Sequence, residues 1–361
     1  MCRSQSTMST DYGVRRILGD LPALGGRIKE VPEDFVVEEL PAYEPCGTGG
    51  FLYLWVQKRD FPAERLAREV GHRLGIKPQD VGIAGLKDRR AVTRQWVSVP
   101  DTCADRLKDF DDDSLRILAT SRHGNKLRAG HTRGNSFQIR IRGLEADSAL
   151  ELRRRTDSLR ALGMPNAFGP QRFGHDGETA RLGWALVNGE RPRLNPWLKK
   201  LACSAVQSDL FNDWLDRRIA DGLFRVALEG DILAHSPRGG MFVCADPTAE
   251  QPRVDRFEIV PAGPMFGPKM LPADSKARER ERELLASRNL PGNWQPEGSL
   301  FAGTRRRALV SVPDLSITED GEGLNLGFSL PSGSYATVLL AELLGHDSKT
   351  TNGEILDEDG E

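Results

Sequence analysis

Residues 82–99 read GIAGLKDRRAVTRQWVSV. A short apolar run leads to two glycines, and Asp88 then stands among Lys87, Arg89 and Arg90. Residues 95–99 have the aromatic and β-branched composition of a strand. A strand, a tight turn and a second strand would hold Asp88 at a rigid corner. Since neighbouring cations favour the ionised form of a carboxyl group, we expect Asp88 to be charged at neutral pH.

An ionised aspartate in this setting has two interpretations. It can act as a nucleophile, with the neighbouring cations holding a phosphate-bearing substrate. It can also belong to a surface turn in which Asp88 offsets local positive charge, because such carboxylates are enriched in functional sites but not confined to them. This stretch alone leaves both interpretations open.

Length and hydropathy indicate a water-exposed globular protein. The chain has 361 residues, enough for two domains with sizeable cores. No apolar run approaches the roughly 18 residues that a membrane-spanning helix requires, and the polar N-terminus lacks the apolar segment of a signal peptide. We therefore expect a cytoplasmic protein with a flexible leader, and, since no long apolar stripe demands a partner, a monomer.

Residues of the types that bind metals are scattered along the chain. The five cysteines form no CxxC pair and the six histidines form no HExxH pair, so we expect neither disulfides nor a metal site. The sequence contains neither GxGxxG nor GxxxxGK, which removes the main support for a dinucleotide-binding or P-loop fold.

Positive charge is segregated even though the formal net charge is only −2. Residues 114–144 contain no acidic residue, and their seven cations are Arg116, Arg122, Lys126, Arg128, Arg133, Arg140 and Arg142. A basic stripe of this kind predicts a face that follows a phosphate backbone. A solvated charged surface is the alternative, and charge alone does not separate the two.

Hydrophobic periodicity predicts a chain that is rich in strands at both ends and helical in the middle. Strands are predicted near 35–40, 51–56, 115–119, 135–142, 307–312 and 324–330, and helices near 62–74, 146–162, 178–187, 196–220, 275–285 and 334–344. Glycine and proline interrupt residues 221–274, where no strand is predicted. This order suggests one domain inserted into another.

Five sequence blocks carry a resemblance to a known family. They are KEVPEDFVVEE (29–39), AGLKDRRAVT (84–93), GNSF (134–137), PNAFGPQRFG (165–174) and FSLPSGSYAT (328–337). In this order they resemble the pseudouridine synthase D (TruD) family, and the resemblance covers roughly residues 26–344. Each block is modestly specific alone, but the ordered set of five is very hard to reach by chance.

The resemblance implies an α+β fold. Its catalytic core has a mixed or antiparallel sheet and is interrupted by an inserted, more helical, TruD-specific α/β domain. The implied limits are a flexible leader (1–25), the first part of the core (26–165), the inserted domain (166–304), the second part of the core (305–345) and a disordered acidic tail (346–361).

The resemblance also implies an activity, namely isomerisation of uridine to pseudouridine in tRNA, with uridine 13 as the expected position. It assigns Asp88 as the catalytic nucleophile. It assigns Phe35, Asn135 and Phe328 to uridine binding, and Lys29 and Phe137 to the lining of the cleft. The implied partner is tRNA, and neither a cofactor nor a metal is implied.

The residues themselves leave alternatives. Without the resemblance, Phe35, Phe137 and Phe328 would each be read as core residues, because each lies in an alternating apolar pattern. Asn135 would be a turn residue and Lys29 a surface charge. A hydrolase with an aspartate nucleophile and a non-catalytic RNA-binding protein are the alternative functions. The hydrolase would usually need a second acidic motif, which is not evident, and the RNA-binding protein would not need Asp88.

Overall fold

The computed structural model describes residues 13–294 and 300–345. The first twelve residues of the predicted leader and the whole predicted tail (346–361) lie outside the described residues. The chain divides into two compact units. The sheet unit consists of Leu24–Arg160 and Val312–Gly333, and the helical unit is built on Ala161–Ser311 with segments before Leu24 and after Gly333.

The sequence-based limits of an inserted domain stay a prediction. Those limits enclose residues 166–304 between core segments 26–165 and 305–345. The two compact units group residues by proximity, and proximity does not by itself delimit an insertion. Residues 305–311 and 334–345 lie in the same unit as the middle of the chain.

Strands and helices follow in chain order. The strands are β1 (Phe35–Pro41), β2 (Phe51–Arg59), β3 (Gly82–Ile83), β4 (Val92–Pro100), β5 (Leu115–His123), β6 (Thr132–Ile141), β7 (Met164–Pro165), β8 (Ile232–His235), β9 (Met241–Val243), β10 (Ile259–Met265), β11 (Thr304–Arg307), β12 (Leu309–Val310), β13 (Ser316–Asp320) and β14 (Gly323–Pro331). The α-helices are α1 (Leu66–Leu74), α2 (Ala146–Leu162), α3 (Glu178–Val187), α4 (Pro196–Ala220), α5 (Pro247–Asp255), α6 (Ser275–Ser287) and α7 (Ala336–Leu344). The helices predicted at 146–162, 178–187 and 196–220 are confirmed residue for residue.

The sheet unit is organised around one eight-stranded mixed sheet. Its strand order is β13-β14-β6-β1-β4-β2-β5, with β3 paired to β4. Only the β1–β4 pair among these is parallel, and the other neighbours are antiparallel. The α+β expectation with a mixed sheet is confirmed.

The register of this sheet aligns one row of residues across five strands. Along the row, neighbours lie opposite each other in the order Phe328, Phe137, Val37, Thr93 and Lys58. Residues opposite one another on adjacent strands project to the same face. This row therefore brings side chains from β14, β6, β1, β4 and β2 onto one face of the sheet.

Helix α1 belongs to the core of the sheet unit. Its apolar residues Leu66, Val70 and Leu74 recur every four positions and are buried in one cluster. Gly75 ends the helix in the left-handed conformation, with φ of 62°. The predicted helix is confirmed, with Ala63–Arg65 forming a 3₁₀ turn ahead of it.

The prediction that residues 221–274 contain no strand is wrong. Strands β8, β9 and β10 lie there and form an antiparallel sheet in the order β11-β10-β8-β9. Strand β10 reads IVPAGPM and is buried at every position, so it shows no alternation of apolar and polar residues. The first half of β10 pairs with β8 and the second half pairs with β11. This arrangement accommodates Pro261 and Pro264, which have no backbone N–H to donate to a neighbouring strand.

Helix α4 packs on this second sheet. Asn195 caps its first turn by accepting a hydrogen bond from the Leu198 N–H at 2.8 Å, and Pro196 occupies the first helical position. The Trp214 ring lies so close to Gly263 of β10 that a Cβ there would be 2.4 Å from the ring. Among the helices of the two described ranges, none is both long and apolar enough to cross a membrane.

Glu342 on α7 generates a stability prediction. Its buried carboxylate accepts hydrogen bonds from the N–H groups of Ile17 at 3.0 Å and Leu18 at 3.4 Å. Burial raises the pKa of Glu342 to about 7, although these donors oppose the shift. A raised folded-state pKa contributes stability that is full below the ordinary value near 4.5 and is lost as pH rises to about 7.

We therefore expect Glu342→Gln to flatten the decline in unfolding free energy between about pH 5 and pH 7.5. Urea unfolding at several pH values measures this. The exposed Glu279→Gln substitution is the control and should keep the wild-type slope. An unchanged slope in Glu342→Gln would contradict the prediction.

Candidate active site around Asp88

The residues between β3 and β4, numbered 84–91, form a loop that carries Asp88, hereafter the Asp88 loop. The side-chain amide of Gln95 on β4 donates to the Gly85 carbonyl at 3.1 Å and holds the start of this loop. At the other end, the Ala91 N–H donates to the Arg89 carbonyl at 2.8 Å, which closes a tight turn into β4. The predicted strands on both sides of Asp88 are confirmed, but an eight-residue loop joins them instead of a single tight turn.

Lys87 and Asp88 are adjacent but have opposite exposures. The Lys87 ammonium lies 3.1 Å from a carboxylate oxygen of Glu39 on β1, and both side chains are buried. The other oxygen of Glu39 accepts from the Trp96 N–H at 3.3 Å. The Asp88 side chain is 42% exposed. Lys87 is therefore held in a buried ion pair, whereas the Asp88 carboxylate remains accessible to solvent.

Lys29 holds the Asp88 carboxylate from the side of β1. Its ammonium lies 3.2 Å from Asp88 Oδ1 and 4.0 Å from the centroid of the Phe35 ring, and its side chain is buried. The Lys29 backbone has a positive φ of 59°, an uncommon conformation for a residue other than glycine. A charge-assisted hydrogen bond and a ring contact thus fix one cation against the carboxylate. The pairing of Lys29 with Asp88 makes a surface charge the wrong interpretation for Lys29.

Phe35, Phe137 and Phe328 form one buried aromatic cluster. Phe137 stacks on Phe328 with ring centroids 5.0 Å apart and meets Phe35 edge to face at 6.2 Å. The three residues are 4%, 6% and 2% exposed for Phe35, Phe137 and Phe328, respectively. These rings have the packing of a core beneath the Asp88–Lys29 pair, and their contact with a uridine stays a prediction.

Asn135 has a buried side-chain oxygen with no hydrogen-bond partner in the described part of the chain. Thr93 Oγ1 and Gln95 Oε1 share this property. Asn135 lies opposite Leu330 on one side and Glu39 on the other. Buried polar atoms in native proteins nearly always have a partner. These atoms therefore have hydrogen-bonding capacity that the described residues do not use.

Sequence reasoning missed Glu39, Thr93 and Gln95 as members of the site. Each is a polar residue at a buried position of a strand in the sheet unit. Thr93 and Gln95 are two residues apart, which places both on one face of β4. The sequence feature that could have identified Thr93 and Gln95 is therefore a pair of polar residues at strand positions where the alternating pattern predicts apolar core residues.

Two arginines of the predicted basic stripe are engaged within the fold. Arg142 Nη2 donates at 2.7 Å to Asp34, whose side chain is fully buried. Arg140 Nη2 donates to Asp320 at 2.8 Å, and its Nη1 donates to Glu322 at 2.6 Å. Reversing the charge at these two positions would disturb this ion-pair network. Weaker RNA binding in such a variant would therefore not by itself show that these arginines contact RNA. A phosphate-following face stays a prediction for the seven cations of the stripe.

Comparisons with known proteins agree on one family. The family model described as tRNA pseudouridine synthase D (TruD) matches residues 11–194 and 191–343. The tRNA pseudouridine synthase D of Anaeromyxobacter sp. (strain Fw109-5) is 43% identical over 335 residues, which cover 91% of this chain and 95% of that protein. A protein of the same name from Thermus thermophilus is 41% identical over 329 residues, 90% of each chain.

A solved structure supports the fold. The Methanosarcina mazei crystal structure described as a putative tRNA pseudouridine synthase D superposes with a TM-score of 0.77 at 24% identity, covering 94% of this chain and 98% of that one. At 24% identity this structural similarity supports the fold alone. The family model and the two relatives support the assignment to the family. The mixed-sheet fold is that of a TruD-type protein. The chain belongs to the tRNA pseudouridine synthase D (TruD) family.

Asp34, in the PEDF block, gives a pH prediction for the sheet unit. Burial alone would raise the pKa of Asp34, but hydrogen bonds from Arg142 and the Val31 N–H, with the charges of Arg142 and Arg140, hold that pKa below its ordinary value. A lowered folded-state pKa contributes stability above the ordinary value near 3.8 and loses it as pH falls further.

We expect Asp34→Asn to lower the denaturant midpoint at pH 7 and to reduce the loss of stability as pH falls below about 4. Denaturant unfolding between about pH 2.5 and pH 7 measures both effects. The exposed Glu145→Gln substitution is the matched control, with wild-type behaviour expected. A wild-type midpoint in Asp34→Asn would show that the ion pair contributes nothing.

Proposed function

We propose that this chain isomerises uridine in tRNA to pseudouridine, at uridine 13, with Asp88 as the nucleophile. The observation that carries the proposal is the placement of Asp88. It lies in the family's AGLKD block, is about half exposed, and is held at 3.2 Å by Lys29. Membership of the TruD family and two relatives named tRNA pseudouridine synthase D support the substrate class.

The reaction suits an ionised carboxylate. The bond between uracil N1 and ribose C1′ breaks, the base rotates, and a bond between C5 and C1′ replaces it. The C5 proton is lost and N1 gains a proton, so the conversion is an isomerisation without net oxidation. A carboxylate can serve this sequence by attacking the sugar or by taking a proton from it. Lys29 would keep Asp88 oriented toward the ribose throughout.

Recognition of the base would fall to Asn135. A uridine inside a folded tRNA has to leave its stack to reach a protein side chain. Asn135 Oδ1, which has no partner within residues 13–294 and 300–345, can accept the uracil N3–H, while the NH₂ group of Asn135 can donate to a uracil carbonyl. The predicted uridine contacts of Phe35 and Phe328, and the cleft-lining positions of Lys29 and Phe137, belong to the same proposal. A base–aromatic contact of about 1–3 kcal/mol would offset part of the unstacking cost.

Asp88→Asn tests the nucleophile. The amide has nearly the same shape but cannot act as an anionic nucleophile, so pseudouridine formation should fall by at least about 10³-fold. The dissociation constant for tRNA should stay within about twofold, because the loss concerns the transition state alone. Single-turnover assays on a tRNA transcript measure the first quantity and filter binding the second.

Asp113→Asn is the control for this experiment, because Asp113 is a fully exposed carboxylate of the same unit. A transcript in which uridine 13 is replaced by cytidine tests the position and should remain unmodified. Wild-type activity of Asp88→Asn would refute the nucleophile, and modification of the altered transcript would refute the position.

Asn135→Ala tests base recognition. Loss of a buried hydrogen-bonding partner costs about 1–3 kcal/mol, or roughly 5- to 150-fold in kcat/KM. We expect a decrease of that size for the uridine substrate. The exposed Gln138→Ala, three residues further along β6, is the control. A kcat/KM within about twofold of wild type in Asn135→Ala would exclude a contact between this amide and the base.

A further inference from the structure

Lys58 is a buried lysine beneath the Asp88 loop. It is the second-last residue of β2, is 1% exposed, and lies opposite Thr93 in the row that crosses the sheet. Its ammonium donates to the Phe61 carbonyl at 2.8 Å, to the Lys87 carbonyl at 3.1 Å and, at shorter range, to the Asp88 carbonyl. One side chain thus joins the end of β2 to main-chain atoms 29 and 30 residues away.

These three carbonyl contacts suit the chemistry of the group. An ammonium has three N–H donors and no acceptor, and these carbonyl oxygens can take all three. A charge buried in this way is costly unless it is well compensated. Carbonyl oxygens that converge on one nitrogen provide such compensation through their dipoles and through charge-assisted hydrogen bonds.

The positions of two of these carbonyls define the direction of the Asp88 side chain. The Lys87 carbonyl belongs to the peptide plane that precedes the Asp88 Cα, and the Asp88 carbonyl belongs to the plane that follows it. Because peptide units are planar, the backbone at a residue turns only about the two bonds that join these planes at Cα. Anchoring both planes to one ammonium restrains both rotations and so restrains the Cα–Cβ bond.

We infer that Lys58 is a positioning residue that aims the Asp88 carboxylate by fixing both peptide units on either side of it. This inference rests on the proposed function, since it takes Asp88 as the reacting group. Lys58 acts through the main chain, whereas Lys29 touches the carboxylate itself. The loop gains order in this way while the Asp88 carboxylate stays exposed.

The expected consequence is a loss of turnover without a loss of tRNA binding. A displacement of about 1 Å in a reacting group can cost about 10²-fold in rate. Lys58→Met keeps an unbranched stem of similar length and removes the donors. We expect kcat to fall about 100-fold, and the dissociation constant for tRNA to remain within about twofold, because the exposed surface of the loop is unchanged.

Val56→Ala is the matched control for loss of packing. Val56 lies two residues earlier on β2, faces the same way and is equally buried. It belongs to the apolar cluster under the sheet, and its side chain has no donor that could bind the loop carbonyls. When activities are expressed per folded molecule, Val56→Ala should keep kcat within about twofold of wild type. An equal fall in both variants would show that Lys58 contributes only to general stability.

Chemical rescue separates the ammonium from the space that it fills. Lys58→Ala should lose turnover as Lys58→Met does, and added butylammonium should restore part of it in a saturable manner. Butanol has similar size but carries no positive charge, so it should restore nothing. Equal rescue by both compounds would overturn the role of the ammonium.

Amide hydrogen exchange provides a readout that does not depend on the chemistry of Asp88. In Lys58→Met, residues 84–91 should exchange faster than in wild type, while β6 should keep its protection. Unchanged exchange together with wild-type kcat would overturn the inference. If Asp88→Asn remained active, the proposal that Asp88 is the nucleophile would be refuted. Faster exchange of residues 84–91 in Lys58→Met would still show that Lys58 anchors the Asp88 loop.

Discussion

The pairing of β1 with β4 on one side and β6 on the other is the constraint on which the candidate site depends. Because β1 and β4 are parallel, the segments that enter them meet at the same edge of the sheet. Lys29 precedes β1 and Asp88 precedes β4, so residues 59 positions apart form an ion pair. The antiparallel pairing of β6 then places Asn135 opposite Glu39, which binds Lys87 beside Asp88.

Several buried charges, some of them in the sequence blocks, help to build this sheet. Glu39 pairs with Lys87, Asp34 with Arg142, and the Lys58 ammonium with main-chain carbonyls. Buried charges are stable only when they are paired or hydrogen bonded. The arrangement leaves the Asp88 carboxylate about half exposed and supported by Lys29. Charged residues of these blocks therefore help to stabilise the sheet and the loop that hold the Asp88 carboxylate.

Local patterns predicted the longer helices and the strands whose burial alternates along the chain. Helices α2, α3 and α4 were predicted to their terminal residues, because caps and a period near 3.6 act within a few turns of chain. Strand β14 was predicted within one residue at each end, since its burial alternates along its whole length. Strand β10 was missed because it is buried on both faces and contains prolines, which removes both the alternation and the usual composition of a strand.

For the site, sequence reasoning identified Asp88 as an anion among cations and, through the family resemblance, the residues that accompany it. It could not assign the cations. Lys87, Arg89 and Arg90 look alike in sequence, yet the buried carboxylate of Glu39, 48 positions earlier, determines what Lys87 does. The same limit applies to Lys58, because two of the carbonyls that accept from its ammonium, those of Lys87 and Asp88, lie in a distant loop.

The sequence by itself determined the family, every helix except α5, the mixed character of the fold and the identity of the exposed carboxylate. These follow from short-range patterns and from ordered blocks that can be read along the chain. Only the tertiary structure decided which charges are buried, which amide oxygens have no hydrogen-bond partner among the described residues, and how the Asp88 loop is anchored. These properties depend on the register between strands far apart in sequence, and a shift of one residue in that register would turn every side chain of a strand to the other face.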